Sequence, residues 1–160
     1  MKVFRADYLN NLTAQAHDNP RKRQHCNIHE GCADRCQRLF NAIESGNYIG
    51  LHRHAADPRD ELLIGVLGSM ALVPFDEQGM VTGVVRFGEG ENGDTLALGV
   101  EVPANTWYTV IALEPSCVLL EVKAGPFNPN QSKDLAPWAS DEGGPNAKQY
   151  LEKLISRIMG

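Results

Sequence analysis

From Asn47 onward the chain is a succession of short stretches rich in Val, Ile and Leu, and this constrains the fold more than any other feature. The stretches are Tyr48–His54, Glu61–Leu67, Met70–Phe75, Met80–Phe87, Thr95–Val102, Trp107–Leu113 and Val118–Val122. Turn-forming residues separate them: Asp76-Glu77-Gln78-Gly79, Gly88 through Asp94, Pro103-Ala104-Asn105 and Glu114-Pro115-Ser116. Strands spaced at about 8–15 residues with no helix of useful length between them predict an all-β antiparallel sandwich or small barrel. A parallel sheet would need crossover helices, and there is no room for them.

The flanks read differently. Phe4, Leu9, Leu12 and Ala16 give residues 3–16 a weak helical pattern, with Asp7 as its cap. Next come the charged connector HDNPRKR and a second short helix expected from Asp34 to Glu44 on Leu39, Phe40 and Ile43, with Gly46 as its stop. After Lys123 a long loop carries Phe127 and Trp138, which should pack it down. The chain closes on a helix whose stripe is Ala147, Leu151, Leu154, Ile155 and Ile158. Residues 1–46 are therefore expected as an extension with a strand and a short helix, 47–124 as the β domain, and 125–160 as loop and helix.

A chain of 160 residues, 42% hydrophobic, is long enough for one domain with a real core. The formal charge of -5 argues against a nucleic-acid partner. No apolar run approaches the roughly 18 residues of a membrane span, and the N-terminus lacks the pattern of a secretory signal. The expectation is a soluble, cytoplasmic protein with no membrane partner. Cys26, Cys32 and Cys36 crowd one segment while Cys117 stands apart. Two readings stay open there: reduced, mostly buried thiols, or a zinc site assembled from His25, Cys26, His29, Cys32 and Cys36.

The sharpest chemical signal is Gly50-Leu51-His52-Arg53-His54, followed by Glu61. On a strand, His52 and His54 share a face, and an antiparallel return can bring Glu61 opposite them. Two imidazoles and a carboxylate converging in this way suit a divalent metal with room for water or substrate; the alternative is a solvated pair of edge histidines beside a surface acid. Upstream, His25, Asn27 and His29 alternate, as a pocket wall, an exposed edge or further ligands would. Arg21 and Arg23, in the basic run before them, are candidates to hold the phosphate or carboxylate of a small ligand. Tyr108 is either a core aromatic or an acid/base reaching the site. Lys123 is either a pocket cation or half of a rim salt bridge with Glu121 or Asp134.

The runs PRKRQHCNIH at 20–29, CQRLFNAIESGNYIGLHRH at 36–54, VPANTWYTVIALEP at 102–115 and EVKAGPFNPNQSKDLAPWA at 121–139 together resemble the WbuC-like cupin-fold metalloproteins, over roughly residues 20–140. Members of that group are often associated with surface polysaccharide biosynthesis. The resemblance implies a cupin jelly-roll β-barrel with short N-terminal helical segments and a C-terminal helix, a homodimer, and a divalent ion (Zn, Fe, Mn or Ni) on His52, His54 and Glu61. The family's further histidine is replaced by Tyr108, because the expected Trp-His pair reads Trp107-Tyr108. Its implied role is fourth ligand or proton carrier. The leading expectation is a metal-dependent isomerase, epimerase or lyase acting on a small polar or anionic ligand, a sugar or nucleotide sugar. In it, Tyr108, Lys123, His25 and His29 serve catalysis, and Arg21, Arg23 and Asn27 bind the substrate. The competing expectations are a non-catalytic carbohydrate-binding cupin with weak or no metal, and a structural partner in a biosynthetic complex.

Overall fold

The computed structural model describes residues 1–90, 96–131 and 133–159. Its ten strands form two five-stranded sheets whose ladders are all antiparallel. The first sheet contains β1 (Arg23–Asn27), β2 (Cys36–Ile43), β9 (Cys117–Ala124), β4 (Glu61–Leu67) and β7 (Gly99–Val102), in that order. The second runs β10 (Asp134–Leu135), β3 (His52–Arg53), β8 (Trp107–Ala112), β5 (Ser69–Phe75) and β6 (Val85–Gly88). This is a mostly β, cupin-like arrangement with helices at both termini.

Period-two alternation explains how the layers stack. Tyr108, Val110 and Ala112 of β8 turn inward to meet Leu63, Leu119 and Ile43 of the first sheet in a shared core. Trp107 and Ile111 turn outward, where they pack with Ala71 and Val73 against Leu151, Leu154 and Ile158 of α2 (Ala147–Met159). On the far side of the first sheet, Phe40, Ala42 and Val118 receive Leu12 and Ala16 of α1 (Ala6–Asp18). The sheets approach closely where β4 meets β6: a Cβ on Gly65 would lie 2.3 Å from the Gly88 Cα, so only glycine fits there.

The helix expected from Asp34 to Glu44 is strand β2. Leu39, Phe40 and Ile43 imitate helical spacing because this strand is covered on both faces, by α1 outside and by the second sheet inside. Asp7 is not the cap of α1 either. Arg5 holds that position without a side-chain bond, and Asp7 sits in the first turn, where its carboxylate accepts the Tyr8 N–H at 2.9 Å. The stretch Tyr48–His54 contributes only His52–Arg53 to a ladder, and Met80–Phe87 only Val85–Gly88 with an isolated bridge at Val81. Thr95 of the stretch Thr95–Val102, and part of the turn from Gly88 through Asp94, lie outside the described residues. Glu61–Leu67 matches β4, and the long loop does pack down: Trp138 meets Trp107 edge-on with ring centres 5.0 Å apart. No helix is long and apolar enough to cross a membrane.

Candidate functional site

Strand register brings the polar residues together. On the inner face of the first sheet, one cross-strand row reads Gln37, Lys123, Glu61, and the next reads Asn27, Leu39, Glu121, Leu63. A third row pairs His25 with Asn41 and Asn41 with Leu119. Opposite them, His52 and Tyr108 are direct partners across β3 and β8. These side chains line one cavity of about 350 Å³ between the sheets.

Glu61, only 2% exposed, gathers the polar groups at one end of it. One carboxylate oxygen accepts from the Tyr108 hydroxyl. The other takes the Lys123 ammonium at 2.8 Å and lies 3.2 Å from His54 Nε2. Burial alone would raise the Glu61 pKa, but His54 and Lys123 outweigh it and hold the carboxyl far below the usual range. Burial, then the Glu61 and Glu121 charges, push the Tyr108 phenol well above 10. Lys123 also reaches Glu121 at 3.0 Å, and the two carboxylates overcome its own desolvation to raise its pKa.

His52 is different. Its Nδ1 lies 2.8 Å from the Gly50 carbonyl, an acceptor only, so Nδ1 carries the proton. Burial first, then Lys133, lower the ring's pKa to about 4. Neutral and donating through Nδ1, His52 keeps its Nε2 lone pair unprotonated beside the Tyr108 ring, at a centroid distance of 4.8 Å.

The second polar group lies along β1. Arg23, 6% exposed, donates Nη2 to Glu142 at 2.8 Å. His25 lines the cavity nearby, its pKa lowered to about 4 by desolvation and then by Arg23, Arg21 and Lys133. Asn27 and His29 continue the wall, and His29 Nδ1 sits 3.0 Å from the Arg38 backbone N–H. Arg21 is not in the cavity lining; it pairs with Glu142 at 2.7 Å with its side chain 63% exposed. The sequence reading missed Asn41, Gln37, Glu121 and Lys133 as lining residues. The first two were masked by taking β2 for a helix. Glu121 was seen only as a rim partner of Lys123, and Lys133 sits in the long loop with no periodicity to mark it.

A divalent ion does not fit these residues as they stand. Among the described residues no group of three His, Cys, Asp or Glu converges to hold one. Both Glu61 oxygens are engaged, one of them by an ammonium that would repel a second cation, and the neutral phenol of Tyr108 resists the deprotonation a ligand needs. The cysteines form no such group either. All four are free, with Cys32 and Cys36 exposed, Cys26 half-buried and Cys117 buried.

No curated protein matches this sequence. Solved structures do. Protein SO0799 from Shewanella oneidensis is 12% identical with a TM-score of 0.58, over 83% of this chain and 85% of that one. The capsular polysaccharide assembling protein CapF from Staphylococcus aureus is 18% identical with a TM-score of 0.56, over 73% of this chain and 32% of that one. A Bacillus subtilis oxalate decarboxylase, in a structure concerned with its Mn(II) centers, is 18% identical with a TM-score of 0.51, over 71% of this chain and 27% of that one. This chain thus spans about a third of CapF and about a quarter of the decarboxylase. The likeness is one of fold alone, consistent with a cupin-like arrangement of the two sheets. A family model described as a domain of unknown function, DUF6016, matches residues 4–87, more than half of the chain, and the protein belongs to that family.

Proposed function

We propose that this protein is a WbuC-like cupin that binds a small polar anion, a sugar or sugar derivative of surface polysaccharide biosynthesis, and moves a proton on it. One observation carries the reading: a neutral histidine with a free Nε2 shares a cavity with a carboxylate that anchors three hydrogen-bonding groups. His52 Nε2 is the proton acceptor. Lys123 has three N–H donors, of which Glu61 and Glu121 take two, so the third can polarise a ligand oxygen. Tyr108 and His54 hold Glu61 in place, and Glu61 in turn keeps the Lys123 ammonium charged and aimed. The cavity volume lies at the low end of ligand sites, which suits a single sugar ring better than a nucleotide sugar. The name of CapF supports the polysaccharide setting.

The test follows deuterium from solvent into the carbon-bound positions of hexoses and hexuronates by proton NMR. The wild-type chain should catalyse exchange. His52→Gln should lose at least a hundredfold in rate while still binding the same compound. Exchange that survives His52→Gln unchanged removes His52 as the acceptor.

A second reading is favoured by the same histidine. An imidazole fixed through Nδ1 to a carbonyl is also how a metal ligand is oriented, and a divalent ion on His52, His54 and Glu61 becomes feasible if Lys123 swings away. Metal-dependent exchange would identify it.

A further inference from the structure

The end of the cavity away from Glu61 contains a mismatch. Among the described residues, Arg23 Nη1 and Asn41 Oδ1 are buried without a hydrogen-bond partner. Both residues line the cavity and both are 6% exposed. They lie on neighbouring strands in adjacent rows, since Asn41 pairs with His25 and Arg23 is two residues before it on the same face. Buried polar atoms are nearly always satisfied, so a donor and an acceptor orphaned on neighbouring strands of one cavity wall point to a missing partner there. Arg23 is held in place by Glu142, which itself takes Arg21 and the Gly50 N–H. Lys133 brings a second cation to the same wall.

We infer that Arg23, Lys133 and Asn41 form a subsite for a monosaccharide acid, a hexuronate-type ligand whose carboxylate sits on Arg23 and Lys133 and whose hydroxyl donates to Asn41. The inference deepens the reading given under Proposed function and rests on it. The orphaned donor requires an acceptor, and the charges of Arg23 and Lys133, shared with the single carboxylate of Glu142, favour an anionic one. The orphaned acceptor requires a donor, which a carboxylate cannot supply and a ring hydroxyl can. One guanidinium nitrogen and one ammonium nitrogen match the two oxygens of a carboxylate, and a sugar phosphate is the competing anion that the titration separates. With the carboxylate at β1, the rest of the ring extends toward His52 and Lys123.

The test is calorimetric titration of the full chain with sodium D-glucuronate, D-glucose and D-glucose 6-phosphate. Arg23→Gln, Lys133→Met and Asn41→Leu are titrated alongside, with circular dichroism confirming that each is folded. Glucuronate should bind at least tenfold tighter than glucose or glucose 6-phosphate, and each variant should weaken it at least tenfold. Lys133→Met changes an exposed residue, so the prediction stays open to refutation even if Arg23→Gln fails to fold. Glucose binding as tightly as glucuronate, glucose 6-phosphate binding tighter, glucuronate not binding at all, or Lys133→Met without effect would each overturn the subsite. Glucuronate held through Lys133 with no proton exchange would leave the subsite standing and remove the proton-transfer reading. Exchange on glucuronate that ignores Lys133→Met would do the reverse.

Discussion

The two ends of the cavity are built on opposite principles. Around Glu61 the protein answers its own polar groups: phenol, ammonium and imidazole all converge on one buried carboxylate. Around Arg23 and Asn41 it leaves a donor and an acceptor unanswered at comparable depth. A satisfied buried network rigidifies and sets protonation states, whereas an unsatisfied one costs stability that a bound ligand returns. The contrast supports the reading in which one end carries the proposed chemistry and the other the proposed recognition.

If the Glu61 end is self-sufficient, breaking it should cost the most. Glu61→Ala leaves the Tyr108 hydroxyl without its partner and Lys123 with only Glu121. A loss of about 3–5 kcal/mol in urea unfolding is expected, and a loss below 1 kcal/mol would show that the network is not formed.

Acid should act next. His52 is held near 4 in the folded chain against about 6.5 when unfolded. Above pH 6.5 both states are neutral and His52 contributes nothing to the pH dependence. Between pH 6.5 and 4 the unfolded chain takes up a proton that the folded chain refuses, so stability falls as pH falls, by about 3 kcal/mol for this one group. Below about pH 4 the His52 loss levels off, while Glu61, whose folded pKa is depressed, begins to lose its own contribution. His25 is shifted the same way but is exposed, so solvent shrinks its share. Unfolding free energies that stay flat from pH 7 to 4 would remove His52 from a buried site.

Tyr108→Phe deletes one hydrogen bond to a charged partner and should cost about 2 kcal/mol by the same urea assay. Asn41→Leu, at the other end, should behave in the opposite sense. It removes an orphaned acceptor, so the folded chain should be unchanged or up to about 1 kcal/mol more stable while glucuronate binding weakens. A destabilisation of 2 kcal/mol would mean that Asn41 is structural and the contrast between the ends is false.

The same contrast governs what could be read from sequence. His52 and His54 announced themselves because two imidazoles stand at strand spacing, and Glu61 opens an otherwise apolar strand. The recognition end was legible only in part. His25, Asn27 and His29 read as a wall, an edge or further ligands and Arg23 as a candidate anion contact, but Asn41 sits in Leu-Phe-Asn-Ala-Ile, where burial on both faces of β2 erased the period-two signal. Lys133 reaches the cavity through tertiary folding of a loop, which no local pattern encodes. The metal expectation named His52, His54 and Glu61 but not the groups that Glu61 meets. Lys123 stands on the neighbouring strand in register with Glu61, and that pairing exists only once β4 and β9 are aligned.

The most direct test of the account is solvent deuterium exchange into D-glucuronate by protein stripped with EDTA and shown by elemental analysis to hold no metal. The account predicts exchange that is proportional to protein, abolished in His52→Gln and unaffected by added Mn(II) or Zn(II). Stripped protein that is folded but inert, and that regains exchange only when one equivalent of metal is restored, would contradict it.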